Sequence, residues 1–102
     1  MIHVIATIEL AEGKRNVFLE KVHQLVGKVR AEKGCLDYGP SIDMPTSLKA
    51  QIPLRDNVVT MVERWADLKA LEEHLSAPHM LAYREEVKGM VVGIKLQVLQ
   101  PV

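Results

Sequence analysis

The sequence predicts an α+β domain of the ferredoxin-like βαββαβ plan: a four-stranded antiparallel sheet with two helices on one face. Three observations carry that expectation. Segments rich in β-branched residues lie near both ends and in the middle of the chain, and two of them alternate at period two. Two longer segments between them repeat their apolar residues at helical spacing. Glycine, proline and Asp-Asn signals separate the segments, which gives the order strand–helix–strand–strand–helix–strand. The 102 residues are expected to fold as a single domain, 1–102, burying roughly two thirds of the unfolded surface.

Residues 2–10 open the chain as a strand. Ile2, Val4, Ala6, Ile8 and Leu10 share one face, while His3, Ile5, Thr7 and Glu9 share a mixed one, and Ala11-Glu12-Gly13 turns the chain. From Lys14 to Lys33 the period becomes helical, with Phe18, Val22, Leu25, Val26 and Val29 on one stripe. Glu32 falls on the opposite, charged side, and Gly34 is placed to stop the helix. Cys35 to Ile42 reads as a second strand, weakened by Gly39-Pro40. Residues 43–57 carry two prolines and read as a long connection with edge-strand character around Lys49–Ile52. Val58 to Trp65 is the third strand, with Val59, Met61, Glu63 and Trp65 on one face. Asp67 opens a second helix lined by Leu68, Leu71 and Leu75. Ser76-Ala77-Pro78 breaks it, and Ser76 is expected to cap a restart from Pro78 to Lys88. Gly89 ends the helix and Val91 to Leu99 forms the last strand.

Apolar residues make up 48% of the chain and charged residues 25%, which excludes intrinsic disorder. Thirteen basic and thirteen acidic side chains cancel and are spread evenly. No basic face is implied, so neither nucleic acid nor a membrane surface is an expected partner. The start of the chain lacks the basic flank and long apolar core of a signal peptide, and a single cysteine cannot close an internal disulfide. Both features favour a cytoplasmic location. The strands are apolar on part of both faces, so the sheet face without helices needs a cover. A second copy packed sheet against sheet is the expected one, making the protein a homodimer.

No phosphate-binding glycine loop, Gly-x-Ser-x-Gly elbow or Cys-x-x-Cys pair is present. Glu72-Glu73 and Glu85-Glu86 are adjacent pairs that diverge on a helix and suit its solvated surface. On one continuous helix His74 and His79 would lie about 140° apart, and no third ligand has helpful spacing, so no metal site is expected. His79 falls in the first turn of the restarted helix, where the helix dipole favours neutral imidazole. That suits a proton acceptor for an acidic hydroxyl, and equally a surface residue near a helix start. Trp65 suits either core or ligand contact, as do the amphipathic Tyr38 and Tyr83. Cys35, with no histidine nearby in sequence, reads as a buried, inert thiol.

Two stretches carry a family resemblance. Glu32-Lys33-Gly34-Cys35-Leu36-Asp37-Tyr38 resembles the E-x-G-C-x-x-Y segment of the antibiotic biosynthesis monooxygenase (ABM) family, and residues Glu63 to His79 resemble its E-x-W-x-D-x-x-A-L-x-x-H-x-x-S-x-H segment. The resemblance implies a dimeric α+β barrel and a small pocket between sheet and helices. It also implies oxidation of a phenolic or quinol small molecule by O₂ without metal, flavin or other cofactor. The protein then need only deprotonate a phenol, hold the anion and admit O₂ to a dry pocket. Carried over residue by residue, Trp65 and Glu63 would line the pocket, Trp65 as its aromatic wall and Glu63 as an orienting group; His74 and His79 would stand at its mouth or wall, one of them the proton acceptor, and Tyr38 and Tyr83 would contact substrate. Haem-degrading relatives share the position of Trp65. They carry an iron-ligating histidine where Arg84 stands here and an asparagine near Thr7, so haem is not expected. Two other readings use the same pocket: a non-enzymatic small-ligand sensor, and an isomerase of a phosphorylated carbonyl compound gripped by Arg64 or Arg84.

Overall fold

Val4, Ala6, Ile8 and Leu10 alternate along the first strand, and all four are buried in the structure, a computed structural model that describes residues 1–102. That strand, β1 (Ile2–Leu10), is followed by α1 (Arg15–Arg30), β2 (Cys35–Ser41), β3 (Val58–Trp65), α2 (Leu68–Leu75), α3 (Pro78–Val87) and β4 (Val91–Leu99). The strands form one antiparallel sheet in the order β2-β3-β1-β4. This is the ferredoxin-like arrangement the patterning predicts, with the second helix in two pieces. No helix is long and apolar enough to cross a membrane.

Register decides what faces the helices. Val4 lies opposite Glu63, Ala6 opposite Met61 and Ile8 opposite Val59, so the apolar face of β1 continues into that of β3. Tyr38 joins it from β2, opposite Glu63. From above, α1 contributes Phe18, Val22, Leu25 and Val29, all buried and spaced at helical intervals. Phe18, Tyr38 and Trp65 are the aromatic members of the core.

Three local details depart from the sequence reading. First, α1 stops at Arg30 rather than Lys33: the Glu32 N–H turns back to the Val29 carbonyl at 2.9 Å, tightening the last turn. Glu32 therefore leaves the helix and its charged face. Second, Ser76 does not cap α3. Its hydroxyl donates to the Glu73 carbonyl at the end of α2, and the N-cap is Ala77. The reason is steric, because the residue preceding a proline is pushed into the extended region. Third, Lys49–Ile52 forms a turn and no strand. Gln51 bonds Thr46 and the Met44 carbonyl, while Arg55 grips Asp43 with two side-chain bonds of 2.9 Å. The segment's polar groups are thus answered within itself, and its prolines offer no ladder donors.

The sheet face away from the helices is more mixed than expected. Ile5, Val62 and Leu99 lie on it among Thr7, Glu9, Arg64, Lys95 and Gln97. On the other face, β4 runs beyond the cover of the helices, which leaves Ile94, Leu96 and Val98 exposed.

Gly34 fixes how closely α2 approaches the α1–β2 turn. Its φ is +84°, and a Cβ built on it would sit 2.6 Å from the Ala70 Cβ. Its carbonyl also accepts from the Ala66 N–H at 2.8 Å. Gly34→Ala adds left-handed strain to overpacking and is expected to lower the unfolding free energy in urea by about 2–4 kcal/mol. Gly27→Ala, in open space within α1, should be neutral or stabilising.

Candidate functional site

A cavity of about 380 Å³ lies between the sheet and the helices α2 and α3. Its lining is largely apolar, with Ala6, Ile8 and Met61 from the sheet facing Leu71, Met80 and Val87 from the helices. It opens beside β4, where the lining residues Ile94 and Leu96 are exposed. Glu63, His74, Tyr38 and Tyr83 bring polar atoms to its wall, joined by exposed Arg84 and Lys88.

His74 comes from α2, whose start is fixed by Asp67: its carboxylate accepts from the Ala70 N–H at 2.9 Å. The imidazole is 2% exposed. It packs against Trp65, with ring centroids 4.6 Å apart, and lies edge-on to Tyr38 at 5.5 Å. Its Nδ1 lies 2.9 and 3.1 Å from the two Glu32 oxygens. A carboxylate beside Nδ1 selects the tautomer with the proton there and leaves Nε2 as an acceptor. Burial lowers the His74 pKa, with the Glu32 carboxylate opposing the shift.

The second histidine arrives at the same carboxylate. His79 Nε2 lies 2.6 Å from Glu32 Oε2. The two histidines would diverge on one helix, but the break at Ser76–Ala77 reorients α3 and lets both converge on Glu32. His79 is 23% exposed and does not line the cavity. It braces Glu32 from outside while His74 meets it from within. Glu32 is the residue the sequence reading missed, having been placed on the solvated side of a longer helix. The signal available was the helix break itself, which removes the assumption that separates His74 from His79. No group of three His, Cys, Asp or Glu side chains is arranged to hold a metal ion.

Glu63 is buried at 5% exposure on the same face as Trp65. The Trp65 indole N–H donates to Glu63 Oε1 at 2.9 Å. Burial pushes the Glu63 carboxyl up to about 7, the indole bond pulls it down, and the Glu32 charge adds to the rise. Trp65 itself is fully buried and is absent from the cavity lining, contrary to the expectation that it forms the aromatic wall. It stands one layer back, packed against His74 and bonded to Glu63. The aromatic lining is instead Tyr38 and Tyr83, whose phenols burial pushes well above their ordinary value. Tyr83 also leans on Phe18 of α1. Cys35 is half-buried rather than buried, lies outside the cavity, and has its thiol pushed up chiefly by burial.

Residues 1–86 match the family model described as antibiotic biosynthesis monooxygenase. The chain belongs to that family. Among its ABM relatives, the Escherichia coli K12 protein named "Probable quinol monooxygenase YgiN" is 38% identical over 99% of this chain and 98% of its own length. Solved structures superpose closely. PA3566 from Pseudomonas aeruginosa gives a TM-score of 0.80 at 29% identity, covering 99% of this chain and 93% of that one. Rv0793 from Mycobacterium tuberculosis gives 0.80 at 24% identity, covering 99% and 94%, a likeness of fold. The segments that carry the ABM resemblance supply the lining residues Tyr38, Glu63 and His74, and behind them Glu32, Trp65 and His79.

The Glu63 environment makes a prediction about stability. Unfolded, this carboxyl ionises near 4.5; folded, near 7. Between those values the native state holds the extra proton, so its stabilising effect is full below 4.5 and is lost as pH rises through 7. Glu63→Gln removes this dependence and keeps an oxygen for the Trp65 N–H. The variant's unfolding free energy relative to wild type should therefore rise by about 3 kcal/mol between pH 4.5 and 8, as read by urea titration. His74 acts in the opposite sense, since its folded pKa is lowered and its stabilising effect is lost as pH falls below 6.5. That contribution is common to both proteins and cancels. An equal difference at the two pH values would show that Glu63 is ionised normally.

Proposed function

We propose that this chain is a cofactor-independent monooxygenase that oxidises a phenolic or quinol small molecule with O₂. The observation that carries the reading is an apolar cavity of about 380 Å³ with hydrogen-bonding groups at its inner end. Such a space takes a flat aromatic compound and dissolved O₂, while His74 Nε2 meets a substrate hydroxyl. The name of the 38% identical E. coli relative, "Probable quinol monooxygenase YgiN", supports the same substrate class.

The substrate supplies the electrons. A quinol bearing a free ring C–H, with one O₂, gives the hydroxyquinone and one water, four electrons leaving the ring system and reducing the oxygen. The protein lowers the barrier by removing hydroxyl protons, since a phenolate is a far better electron donor than a phenol. It also holds the anion in a space with little water. His74 is the proton acceptor that faces the cavity; Glu32 sets its tautomer, and His79 braces Glu32.

A specific observation keeps one rival in view. Arg84 lines the cavity and makes no ion pair, as an isomerase acting on a phosphorylated carbonyl compound would require. Arg64, the other candidate for that role, stands opposite His3, on the sheet face away from the cavity. Quinones placed one layer from Trp65 should quench its fluorescence strongly, and sugar phosphates should not.

The deciding measurement is oxygen uptake by chelator-treated protein with hydroquinone, 1,4-dihydroxynaphthalene and related polyhydroxylated aromatics. Uptake should exceed autoxidation. His74→Ala should lower it by about 100-fold or more, and His79→Ala by less, because His79 acts through Glu32. Binding without uptake across the panel would make the protein a sensor rather than an oxygenase. We also propose that two copies pack through the helix-free sheet face, where Ile5, Val62 and Leu99 are the apolar contacts. Sedimentation should give twice the chain mass of 11.4 kDa, and Val62→Lys should shift it toward the monomer.

A further inference from the structure

We infer that Glu63 is a second proton acceptor of the reacting quinol, taking the proton of one hydroxyl while His74 takes that of the other. The inference rests on the oxygenase reading above and deepens it, because it specifies a dihydroxylated aromatic as the substrate. Glu63 is the one carboxylate in the cavity lining. It has no cation within ion-pair distance, so it does not serve as half of a buried salt bridge. Its single side-chain hydrogen bond, from the Trp65 indole, uses Oε1. Oε2 has no partner in the protein, yet no polar side-chain atom of the structure is both sealed and unpartnered. Oε2 is therefore open to the cavity.

The same reasoning applies to His74, whose Nδ1 is taken by Glu32 while Nε2 has no protein partner. Trp65 connects the two acceptors, packed against one and bonded to the other. A purely structural Glu63, present only to satisfy the indole N–H, would be an expensive choice. A neutral glutamine would do that without a buried carboxylate. Burial that holds the carboxyl near 7 also matches it to accepting a proton at neutral pH.

The proton balance closes. The two hydroxyl protons pass to His74 and Glu63, and both return to the oxygen atom that leaves as water. The ring C–H proton ends on the new hydroxyl, and both residues finish as they began.

Glu63→Gln preserves size and the bond to Trp65, so it separates the two roles. With 1,4-dihydroxynaphthalene, kcat should fall about 100-fold or more while KM moves by a few-fold at most. The acidic limb of the wild-type kcat/KM profile, expected near pH 7, should move to lower pH, leaving the limb set by His74, whose pKa burial lowers. Quenching of Trp65 by the product quinone should be unchanged, which reports an intact fold and site. A kcat within threefold of wild type would overturn the inference. Absence of wild-type turnover would instead remove the oxygenase reading. The proton contact is then read directly in the wild-type protein under argon, by infrared difference between its 1,4-dihydroxynaphthalene and 1,4-dimethoxynaphthalene complexes. A perturbed carboxylate stretch is expected, since only the diol can donate to Glu63. An unperturbed stretch overturns the inference without recourse to any variant.

Discussion

The carboxylate of Glu32, held between two imidazoles, is the interaction on which the candidate site depends. It leaves the α1–β2 turn and meets His74 of α2 on one side and His79 of α3 on the other. Three elements remote in sequence are tied at one point. A buried histidine without a partner at Nδ1 would be free to choose either tautomer and either ring flip, and the acceptor facing the cavity would be undefined. With Glu32 in place the ring has one arrangement. Gly34, two residues on, makes this possible: its missing Cβ lets Ala70 approach, and α2 settles close enough for His74 to reach.

Two carboxylates in this neighbourhood have opposite circumstances. Glu32 faces two imidazoles, which can answer its charge or its lone pairs. Glu63 has one indole N–H and an apolar surround, and its charge is answered by nothing else. Environment alone thus divides two chemically identical side chains, one fixing geometry and the other remaining available to exchange a proton near neutral pH. The charge on Glu32 adds to the upward push on Glu63, so the two are not independent. Neutralising Glu32 would loosen His74 and make Glu63 a weaker base together.

The fold was legible because its signals are local and redundant. Strand alternation in β1 and β3, the apolar stripe of α1, and the break before Pro78 each point to one element, and the elements agree on one plan. The site was legible only in part. Glu63 and Trp65 share strand parity, so their proximity could be read from residue numbers, whereas the layering that puts Glu63 in the cavity wall and Trp65 behind it could not. Glu32 was hidden by a boundary three residues out of place. Helical periodicity carries on to Lys33, which keeps Glu32 on a solvated face. The bond between Glu32 and the histidines spans 42 and 47 positions, and no periodicity reaches so far. Lys49–Ile52 departs from the expected edge strand for a different reason: side-chain bonds from Gln51 and Arg55 close the segment on itself.

The cavity has a rigid end and an adaptable one, and this division bears on what it can accept. At the inner end the polar groups are locked. Glu32 fixes His74, Trp65 holds Glu63, and Trp65 has no exposed surface through which to move. Toward the mouth the lining includes the exposed Ile94 and Leu96, side chains that repack at little cost, beside the exposed Arg84 and Lys88. On the proposed oxygenase reading, a ligand is recognised by its two hydroxyls and tolerated in its remaining shape. Such a site discriminates sharply between a diol and its ether, because an unanswered buried acceptor costs more than a lost contact. It discriminates weakly between one ring and two, or between methyl substituents, which only displace adaptable apolar groups. For the oxygenase proposed above, the placement of these residues predicts broad acceptance of polyhydroxylated aromatics, with selectivity concentrated at His74 and Glu63.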